Sequence, residues 1–460
     1  MIVLSVPIDI GEIGKGLNIW DRFVHAHPEK IKGGSTGDIA ADSYHRYRDD
    51  VNAAAELGLH FYRFSINWVR ILPNGFTNEF NEAGAKYYSD LIDALLAKGV
   101  EPVITLYHWD LPVKIQDMGG WTNPHIIDWF GDYARVIYSL YADRVKTWLT
   151  INEAIVVCDY MYNTGRVSLA NNILWIEPAT KNDTALAELG RQHSAGRYCH
   201  PIMSKKGGWP PTIKKLMLEY SLKEGFSQSR LPAFTKEEIN FMKGTADFLG
   251  LNHYATYLIR PAKSGENIGF WFINGSPELN AILEKPSNSY YGASPILPVY
   301  PEGLRRQLKW LHEEYNGIDI LITENGFSTI GHKLNDYARA GYIKENLEQV
   351  LLSIKKDNVS VIGYTVWSLI DNFEWSEAYS IRFGLYEIDF EDPKRLRKAR
   401  LSADFYRCVI KNHSLTGAEA CLKQKKDERR YKRMHLSNGS DKLPKSVLLI
   451  FFILLKFILS

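Results

Sequence analysis

Two apolar segments of the sequence lead into a glutamate: "WLTINE" ends at Glu153, and "ILITENG" contains Glu324. An ionised carboxyl at the end of a buried strand is costly unless it is paired or hydrogen-bonded. Each glutamate is therefore either a satisfied structural anchor or a reactive group. Two carboxyls that flank a glycosidic bond can cleave it, one as proton donor and the other as nucleophile. The pair predicts glycoside chemistry if the fold brings the two strand ends together.

Helical segments alternate with short apolar strands between residues 40 and 410. The helical segments carry apolar residues at spacings of three and four, and several end near a glycine. This alternation predicts βαβ units and a parallel sheet. About seven such units over roughly 400 residues favour a (β/α)8 TIM-type barrel with insertions over an open doubly wound sheet. The predicted strands lie in "HFYRFSINW", "EPVITLYHWD", "VKTWLTINE", "VSLANNILWIEP" (167–178), "TADFLGLNHYAT" (245–256), "IDILITENG" and "VSVIGYTVWSL".

Polar and aromatic residues cluster where these strands end. They are Asn67-Trp68, His108-Trp109-Asp110, Asn152-Glu153, Asn252-His253-Tyr254 and Glu324-Asn325. In a barrel all these ends meet at one face, where catalytic residues lie. There Asn152 can offer a hydrogen bond to a sugar hydroxyl, Tyr254 can orient a carboxylate, and tryptophans such as Trp109 can form apolar sugar platforms. The strand ends therefore indicate a sugar-cleaving site.

With these motifs in order, the sequence resembles glycoside hydrolase family 1, the retaining β-glycosidases that include β-glucosidases, lactase-like enzymes and myrosinases. The motifs are "YHWDLP", "TINEA", "GLNHY", "ITENG" and "WSLIDNFEW", and the resemblance extends from "NIWDRF" at residue 18 to "SADFYR" at 402–407. It implies that Glu153 is the acid/base and Glu324 the nucleophile. It also implies hydrolysis of terminal β-D-glucosides, in a small glucoside or an oligosaccharide, through a glycosyl-enzyme intermediate. Neither a metal nor a cofactor is expected, because the two carboxyls supply both acid and nucleophile.

The resemblance also implies a set of substrate-binding residues. These are His108, Trp109, Asn152, Asn252, Tyr254, Trp367, Glu374, Trp375 and Phe383. Glu374 can accept hydrogen bonds from two sugar hydroxyls, and its negative charge would repel a phosphorylated sugar. We expect hydrogen bonds to keep Glu324 ionised, and the nearby negative charge to raise the pKa of Glu153. In a retaining enzyme the two carboxyls lie about 5–5.5 Å apart.

Three departures from the family pattern predict an incomplete barrel. The N-terminus, "MIVLSVPIDIGEIGKG", replaces the first strand, which in the family carries a sugar-binding glutamine. Only about 13 residues separate Glu153 from the next strand, close to the minimum for a βαβ crossover, so a helix after the fourth strand is missing or replaced. Ala154 stands where the family has proline. The departures favour an alternative, a catalytically weakened glycosidase-like binding protein. A thioglucosidase of the animal myrosinase type is a second alternative, because Glu153 is present.

Composition and the terminal segments indicate the partners, the domain limits and the membrane attachment of the chain. Lys and Arg number 55 against 53 Asp and Glu, so the net charge of +2 gives no case for a nucleic-acid partner. The predicted domains are an atypical N-terminal segment (1–17), the barrel (18–415), a basic polar linker (416–445) and a hydrophobic tail (446–460).

As a helix, the apolar run in the hydrophobic tail spans about 20 Å, short of the roughly 30 Å hydrocarbon core of a lipid bilayer. With Asn438-Gly439-Ser440 before it, the tail is similar to a lipid-anchor signal; an unstructured tail is the alternative.

Signals for localisation are few. N-glycosylation acceptor patterns occur at Asn182, Asn274, Asn358, Asn412 and Asn438, which favours a secreted protein or one on the extracellular face, and the anchor-like tail agrees. The N-terminus has no clear signal peptide. The four cysteines, at positions 158, 199, 408 and 421, show no metal-binding spacing and neither demand nor exclude an oxidising compartment. The sequence gives no indication of oligomeric state.

Overall fold

The computed structural model describes residues 14–154, 171–269 and 275–422. The α-helices in these ranges are α1 Ile19–Ala26, α2 Ser43–Leu57, α3 Trp68–Ile71, α4 Glu82–Ala97, α5 Val113–Asp117, α6 Ile126–Tyr141, α7 Thr184–Arg191, α8 Arg197–Met203, α9 Pro211–Lys223, α10 Lys236–Met242, α11 Pro301–Glu314, α12 Tyr337–Asp357 and α13 Leu401–Asn412. A π-helical turn, Gln192–Gly196, joins α7 to α8.

Short strands alternate with these helices. They are β1 Phe61–Ser65, β2 Glu101–Tyr107, β3 Thr147–Ile151, β4 Asn171–Asn172, β5 Trp175–Pro178, β6 Leu249–Asn252, β7 Thr256–Pro261, β8 Gly275–Ser276, β9 Ala281–Glu284, β10 Tyr290–Tyr291, β11 Pro298–Val299, β12 Ile320–Gly326, β13 Thr329–Ile330, β14 Val361–Trp367, β15 Ile381–Arg382, β16 Tyr386–Glu387 and β17 Lys398–Ala399.

The barrel strands form two parallel sheets in the described part of the chain. One sheet has the order β1-β2-β3 and the other the order β14-β12-β6-β4. Within the described residues, β1 is not paired with β14, and β3 is not paired with β4. The gap between β1 and β14 is where the family's first strand is expected. The replacement segment "IVLSV" and the predicted loss of a helix after the fourth strand both fall on residues outside the described ranges.

Two predicted strands are divided in the structure, which corrects the prediction from sequence. Segment 245–256 separates into β6, in the barrel, and the start of β7. Segment 167–178 likewise gives β4, in the barrel, and β5, which joins a second sheet of order β5-β7-β9-β8. In segment 245–256 the residues on both sides of the break, Leu251 and Ala255 among them, are buried, so the sequence pattern continues through it. The backbone pairing also continues across it: the Ile173 amide donates to the Asn252 carbonyl and the Trp175 amide to the Ala255 carbonyl, both at 3.3 Å.

Helices α11 and α12 cover the sheet on the side of β12. Apolar residues recur along α11 at the spacing of one helical face, and Leu304, Leu308 and Leu311 are fully buried against Ile320 and Ile322 of β12. Burying each such side chain contributes about 1.5–3 kcal/mol. This packing fixes β12, and therefore the backbone that carries Glu324.

Backbone contacts divide the chain into one unit, residues 1–407, and a second, residues 408–460. In the second unit a disulfide joins Cys408 to Cys421, with the two Cα atoms 5.9 Å apart. Residues 415–422 are helical, so the described start of the predicted polar linker has regular structure. The rest of that linker and the hydrophobic tail lie outside the described residues. Within the described ranges, every helix is too short or too polar to cross a lipid bilayer.

Candidate active site

Glu153 and Glu324 are both buried and belong to one hydrogen-bond network. Glu153 follows the end of β3, and Glu324 lies near the end of β12. Asn252 Nδ2 donates to Glu153 Oε1 at 2.8 Å, and Thr323 Oγ1 donates to Asn252 Oδ1 at 2.6 Å. Arg63 Nη1 donates both to the Thr323 carbonyl, at 3.1 Å, and to Glu324 Oε1, at 2.9 Å. The fold therefore brings the two predicted carboxyls together.

Arg63 is the organising cation of this network and was missed by the reasoning from sequence. Its side chain is fully buried on β1. Besides the two bonds from Nη1, Nε donates to Thr105 Oγ1 at 3.0 Å and Nη2 donates to Asn152 Oδ1 at 2.8 Å. A buried guanidinium needs such pairing to offset its desolvation. The sequence feature that could have indicated its role is the position of Arg63 between two aromatic residues in the strand "FYRFS".

Burial and hydrogen bonding have opposite effects on the pKa of Glu324. Burial raises the pKa of the Glu324 carboxyl above its usual value, while the Arg63 charge and the hydrogen bonds from Tyr254 and Arg63 lower it. Tyr254 donates its hydroxyl to Oε2 at 2.7 Å, so each carboxylate oxygen has a donor. These hydrogen bonds oppose the effect of burial, and the expectation that they keep Glu324 ionised stays a prediction. The expected rise in the pKa of Glu153 stays a prediction.

Asn152 and His108 form the next part of the site. Asn152 Oδ1 accepts from Arg63 Nη2 and, at 3.2 Å, from Asn252 Nδ2, so the amide NH₂ faces His108 Nε2 at 3.0 Å. Burial, with the Arg63 charge, holds the pKa of His108 well below its ordinary value, so the ring is neutral. Since Nε2 accepts a hydrogen bond, the proton lies on Nδ1, which has no partner among the described residues. His108 can therefore donate to a ligand.

Glu374 is a buried acid whose Oε1 has no hydrogen-bond partner within the described ranges. Burial raises its pKa to about 8, and the negative charge of Glu324 adds to the rise. At neutral pH the group is mainly protonated in the free protein. The predicted charge repulsion of a phosphorylated sugar is therefore reduced until the pH exceeds about 8.

Aromatic rings form the apolar wall of the site. The ring centroid of Trp375 lies 4.4 Å from that of Trp109 and 4.7 Å from that of Trp20. The His108 ring lies 6.2 Å from Trp375 and 6.4 Å from Trp367. The four predicted residues in this set come together as expected. Trp20, on α1, is an addition that the sequence did not indicate.

Phe383, the last of the predicted residues, packs beside Trp367 and Tyr254. Phe383 packs in a buried cluster with Trp367, and its ring meets that of Tyr254 edge-on at 6.3 Å. Gly326 allows this approach, because a Cβ there would lie 2.4 Å from the Trp367 carbonyl oxygen. The absence of a side chain at Gly326 thus lets β12 and its Glu324 run close to β14.

The backbone is strained at three of the site residues. Trp109, Glu153 and Trp375 have φ of +72°, +49° and +53°, in the left-handed region that L side chains rarely adopt. Each such residue costs on the order of 1–3 kcal/mol, and such residues cluster at active sites. The strain aims the Glu153 carboxyl and two indole rings at the shared face. These strained conformations persist only because the surrounding packing holds them.

Paired carboxyls, neutral hydrogen-bonding groups and tryptophan walls at the mouth of parallel strands together define a (β/α)-barrel glycosidase. Comparison with known proteins agrees. The family model described as Glycosyl hydrolase family 1 matches residues 10–167 and 154–415. The chain therefore belongs to glycosyl hydrolase family 1. The predicted barrel and the predicted β-glycosidase activity are confirmed by this membership.

Relatives and solved structures agree along most of the chain. Myrosinase 1 of Brevicoryne brassicae is 41% identical over 448 residues, which cover 87% of this chain and 94% of that protein. The structure of an aphid myrosinase matches with a TM-score of 0.80 at 39% identity, over 87% of this chain and 94% of the other. A rice beta-glucosidase mutant, solved in a covalent complex with glucose, matches with a TM-score of 0.76 at 31% identity, over 86% and 94%.

Proposed function

We propose that the chain hydrolyses terminal β-D-glucosides with net retention, with Glu324 as nucleophile and Glu153 as acid/base. The observation that carries the proposal is the single network in which Asn252, Thr323 and Arg63 connect the two carboxyls. In a retaining enzyme the two carboxyls lie about 5–5.5 Å apart, which leaves no room for a water between nucleophile and sugar. The separation itself is a prediction of the proposal.

The reaction takes two steps. Glu324 attacks the anomeric carbon and forms a glycosyl ester, while Glu153 protonates the departing oxygen of the aglycone. Glu153, now a carboxylate, then removes a proton from water, which attacks the same carbon and releases glucose and free Glu324. Arg63 and Tyr254 each hold one oxygen of Glu324, so the carboxylate plane is fixed before the sugar arrives.

The sugar-binding groups fit a neutral sugar ring. His108 Nδ1 supplies a donor and Glu374 Oε1 a polar partner, and both atoms are buried without partners in the part of the chain that the structure describes. Sugar hydroxyls donate and accept, so they can satisfy both atoms and remove the cost of leaving them unpaired, about 1–3 kcal/mol each. The Trp375 indole provides a flat apolar surface against the ring. We assign these residues to the innermost sugar site.

Trapping tests the catalytic assignment. A 2-fluoro glucoside with a good leaving group should label Glu324 and no other residue. NMR of the released sugar from an ordinary β-glucoside should show the β-anomer first. Glu324→Ala should abolish turnover, and added azide should restore it with an inverted product. Label on a different carboxylate, or initial release of the α-anomer, contradicts the proposal.

A thioglucosidase activity is the second candidate, favoured by the similarity to Myrosinase 1 of Brevicoryne brassicae. A thiolate leaves without protonation more readily than an alkoxide, so the two activities depend differently on Glu153. Matched O- and S-glucosides of one nitrophenyl aglycone separate them. For a thioglucosidase, the wild-type chain should turn over the S-glucoside, and Glu153→Gln should retain only the initial burst of thiol, because that first step needs no proton whereas the second step uses Glu153 as base for both glucosides. A wild-type chain that binds both glucosides and cleaves neither would indicate the third candidate, a binding protein.

We also propose a secretory route and glycosylation. Asn182, Asn358 and Asn412 are all exposed, which suits oligosaccharide attachment, and a disulfide joins Cys408 to Cys421. Disulfides persist mainly in oxidising compartments. Removal of N-glycans from protein made in animal cells should increase its gel mobility. Release from membranes by a phosphatidylinositol-specific phospholipase would support an anchor at the hydrophobic tail, whereas unglycosylated protein in the cytosol contradicts the proposal.

A further inference from the structure

Helix α1 is attached to the segment that carries His108 and Trp109. The Ile19 amide donates to the Leu111 carbonyl at 2.9 Å, and the Val113 amide donates to the Leu17 carbonyl at 3.0 Å. These two bonds flank an antiparallel bridge between Asn18 and Pro112. The start of α1 therefore has a fixed position relative to the loop that follows β2.

A buried ion pair fixes the same helix from within. Lys15 Nζ lies 2.5 Å from Asp21 Oδ2, and both side chains are almost completely buried. The same Asp21 oxygen accepts from the Asn18 amide at 3.0 Å, while Asn18 Oδ1 caps the helix by accepting from the Trp20 and Asp21 amides. A capping box of this kind and a buried pair both resist displacement of the first turn. That turn carries Trp20.

Trp20 connects this rigid turn to the sugar site. Its ring contacts that of Trp375 at 4.7 Å between centroids, and it packs in a cluster with Val24 of α1 and with Ala378, three residues after Trp375. Trp375 has a positive φ, so its indole is held by its neighbours rather than by a relaxed backbone. Of the rings that contact Trp375, Trp109 comes from the loop after β2 and Trp20 from α1.

We propose that α1 is a positioning element of the sugar site, in which Trp20 holds the Trp375 indole in place and the Lys15–Asp21 pair holds Trp20. The inference rests on the proposed function, because it assigns Trp375 to the innermost sugar site. Trp20 acts through Trp375 and is a positioning residue. Its removal lets the Trp375 indole turn away from the sugar ring, which lowers transition-state binding more than it lowers the amount of folded protein.

A double-mutant cycle tests the proposal on the full chain. We expect Trp20→Leu to lower kcat/KM for a chromogenic β-glucoside about tenfold, equivalent to about 1.4 kcal/mol. In a Trp375→Phe background the same change should cost less than about twofold, because residues that act through one another are not additive. Rates are expressed per active site, counted by 2-fluoro glucoside trapping. Equal losses in the two backgrounds, or an unchanged kcat/KM in Trp20→Leu, overturn the proposal.

A matched control separates positioning from general destabilisation. Trp129, on α6, is also partly buried and packs edge-on against Phe76, 5.7 Å away. Trp129→Leu should lower the Tm to a similar degree while kcat/KM per active site is unchanged. A comparable drop in kcat/KM for Trp129→Leu would show that any lost indole has this effect, and would overturn the specific role of Trp20.

Fluorine NMR gives a readout that does not depend on turnover. In protein labelled with 5-fluorotryptophan, the Trp375 resonance is assigned from its absence in Trp375→Phe. Trp20→Leu should shift or broaden that resonance, and Asp21→Asn should do so while Trp20 is still present; Trp129→Leu should leave it unmoved. If the wild type is inactive yet these shifts occur, the proposed function fails and the positioning role stands. If the protein is active and the Trp375 resonance is unmoved, the positioning role is wrong.

Discussion

Replacing Arg63 by methionine tests the charge balance of the active site most directly. The change keeps an unbranched side chain of similar length on β1 and removes four hydrogen bonds, one of them to Glu324. A hydrogen bond to a charged group contributes about 1.5–3 kcal/mol. If that contribution is present in the transition state, kcat/KM should fall about 10- to 100-fold. Breaking a buried ion pair should also lower the free energy of unfolding by about 3–5 kcal/mol.

The pH dependence gives the sharper signature of Arg63→Met. The Arg63 charge lowers the pKa of Glu324, which burial raises. Without Arg63 that pKa rises further, so the carboxylate needed for attack forms only at higher pH. The acidic limb of the kcat/KM profile should therefore move upward in pH relative to wild type. Initial rates on a nitrophenyl β-glucoside between about pH 4 and 9 measure the shift.

Arg339 provides the matched control for this prediction. Like Arg63 it is fully buried and paired with a carboxylate, in this case Asp336. Arg339→Met should lose comparable stability without moving the acidic limb. If the two variants show the same profile as wild type, or if both move equally, then Arg63 acts only as a structural cation and the reasoning about Glu324 is refuted.

Two further predictions concern single groups of the site. Glu374→Gln should flatten the fall in Tm with rising pH. The folded pKa of Glu374, about 8, exceeds the unfolded value of about 4.3, so the folded state binds more protons between these two pH values. Wild-type stability is therefore lost as the pH rises through this window, and the variant lacks that loss. An unchanged slope of Tm against pH between about 5 and 8 would contradict it. Tyr254→Phe removes the donor to Glu324 Oε2 and should lower kcat about tenfold or more, with little change in Tm. Single-turnover kinetics measure the rate of glycosylation of the enzyme, and calorimetry measures the Tm. An unaltered rate of glycosylation would refute the role of Tyr254.

Much of the site could be predicted because its residues lie at the ends of strands with distinct patterns. Glu324 follows a run of buried apolar residues, and "TINEA" and "ITENG" are local motifs. The parallel topology then determines that these ends meet. No knowledge of side-chain packing was needed for that step. Trp367, Glu374, Trp375 and Phe383 were instead implied by the family resemblance, and they fall in the same connected region as the carboxyls.

Other features depend on contacts between distant parts of the chain and could not be read from spacing. Arg63 and Glu324 are separated by 261 positions, so nothing local marks them as a pair. The raised pKa of Glu374 follows from burial by surrounding elements, not from its neighbours in sequence. Trp20 lies in the quoted motif "NIWDRF", yet its contact with Trp375 depends on how α1 docks. Long-range packing therefore limits prediction more than local pattern does.

The unpaired edges of β1 and β14 lead to the last prediction. In the described residues β1 pairs only with β2, and β14 only with β12. The two edges are nonetheless close, since a Cβ on Gly363 of β14 would lie 3.4 Å from the Phe61 ring. Side-chain contact without backbone pairing leaves strand edges unsatisfied, which lowers stability and favours aggregation.

Supplying the family's first strand at this seam should therefore stabilise the barrel. An N-terminal segment grafted from a family 1 relative would add backbone pairs along both edges, each hydrogen bond contributing about 0.5–1.5 kcal/mol. The resulting gain of a few kcal/mol should raise the Tm by roughly 5 °C or more and reduce aggregation.

The same graft should affect binding more than chemistry. Because both carboxyls and Arg63 lie on strands already present, kcat should change little, while KM for β-glucosides should fall if the grafted glutamine contacts the sugar. A matched graft with that glutamine replaced by alanine separates the two effects, since it should keep the gain in Tm and lose the gain in KM. Equal Tm values for the grafted and ungrafted chains would show that the seam is already satisfied, and that the barrel does not lack a strand there.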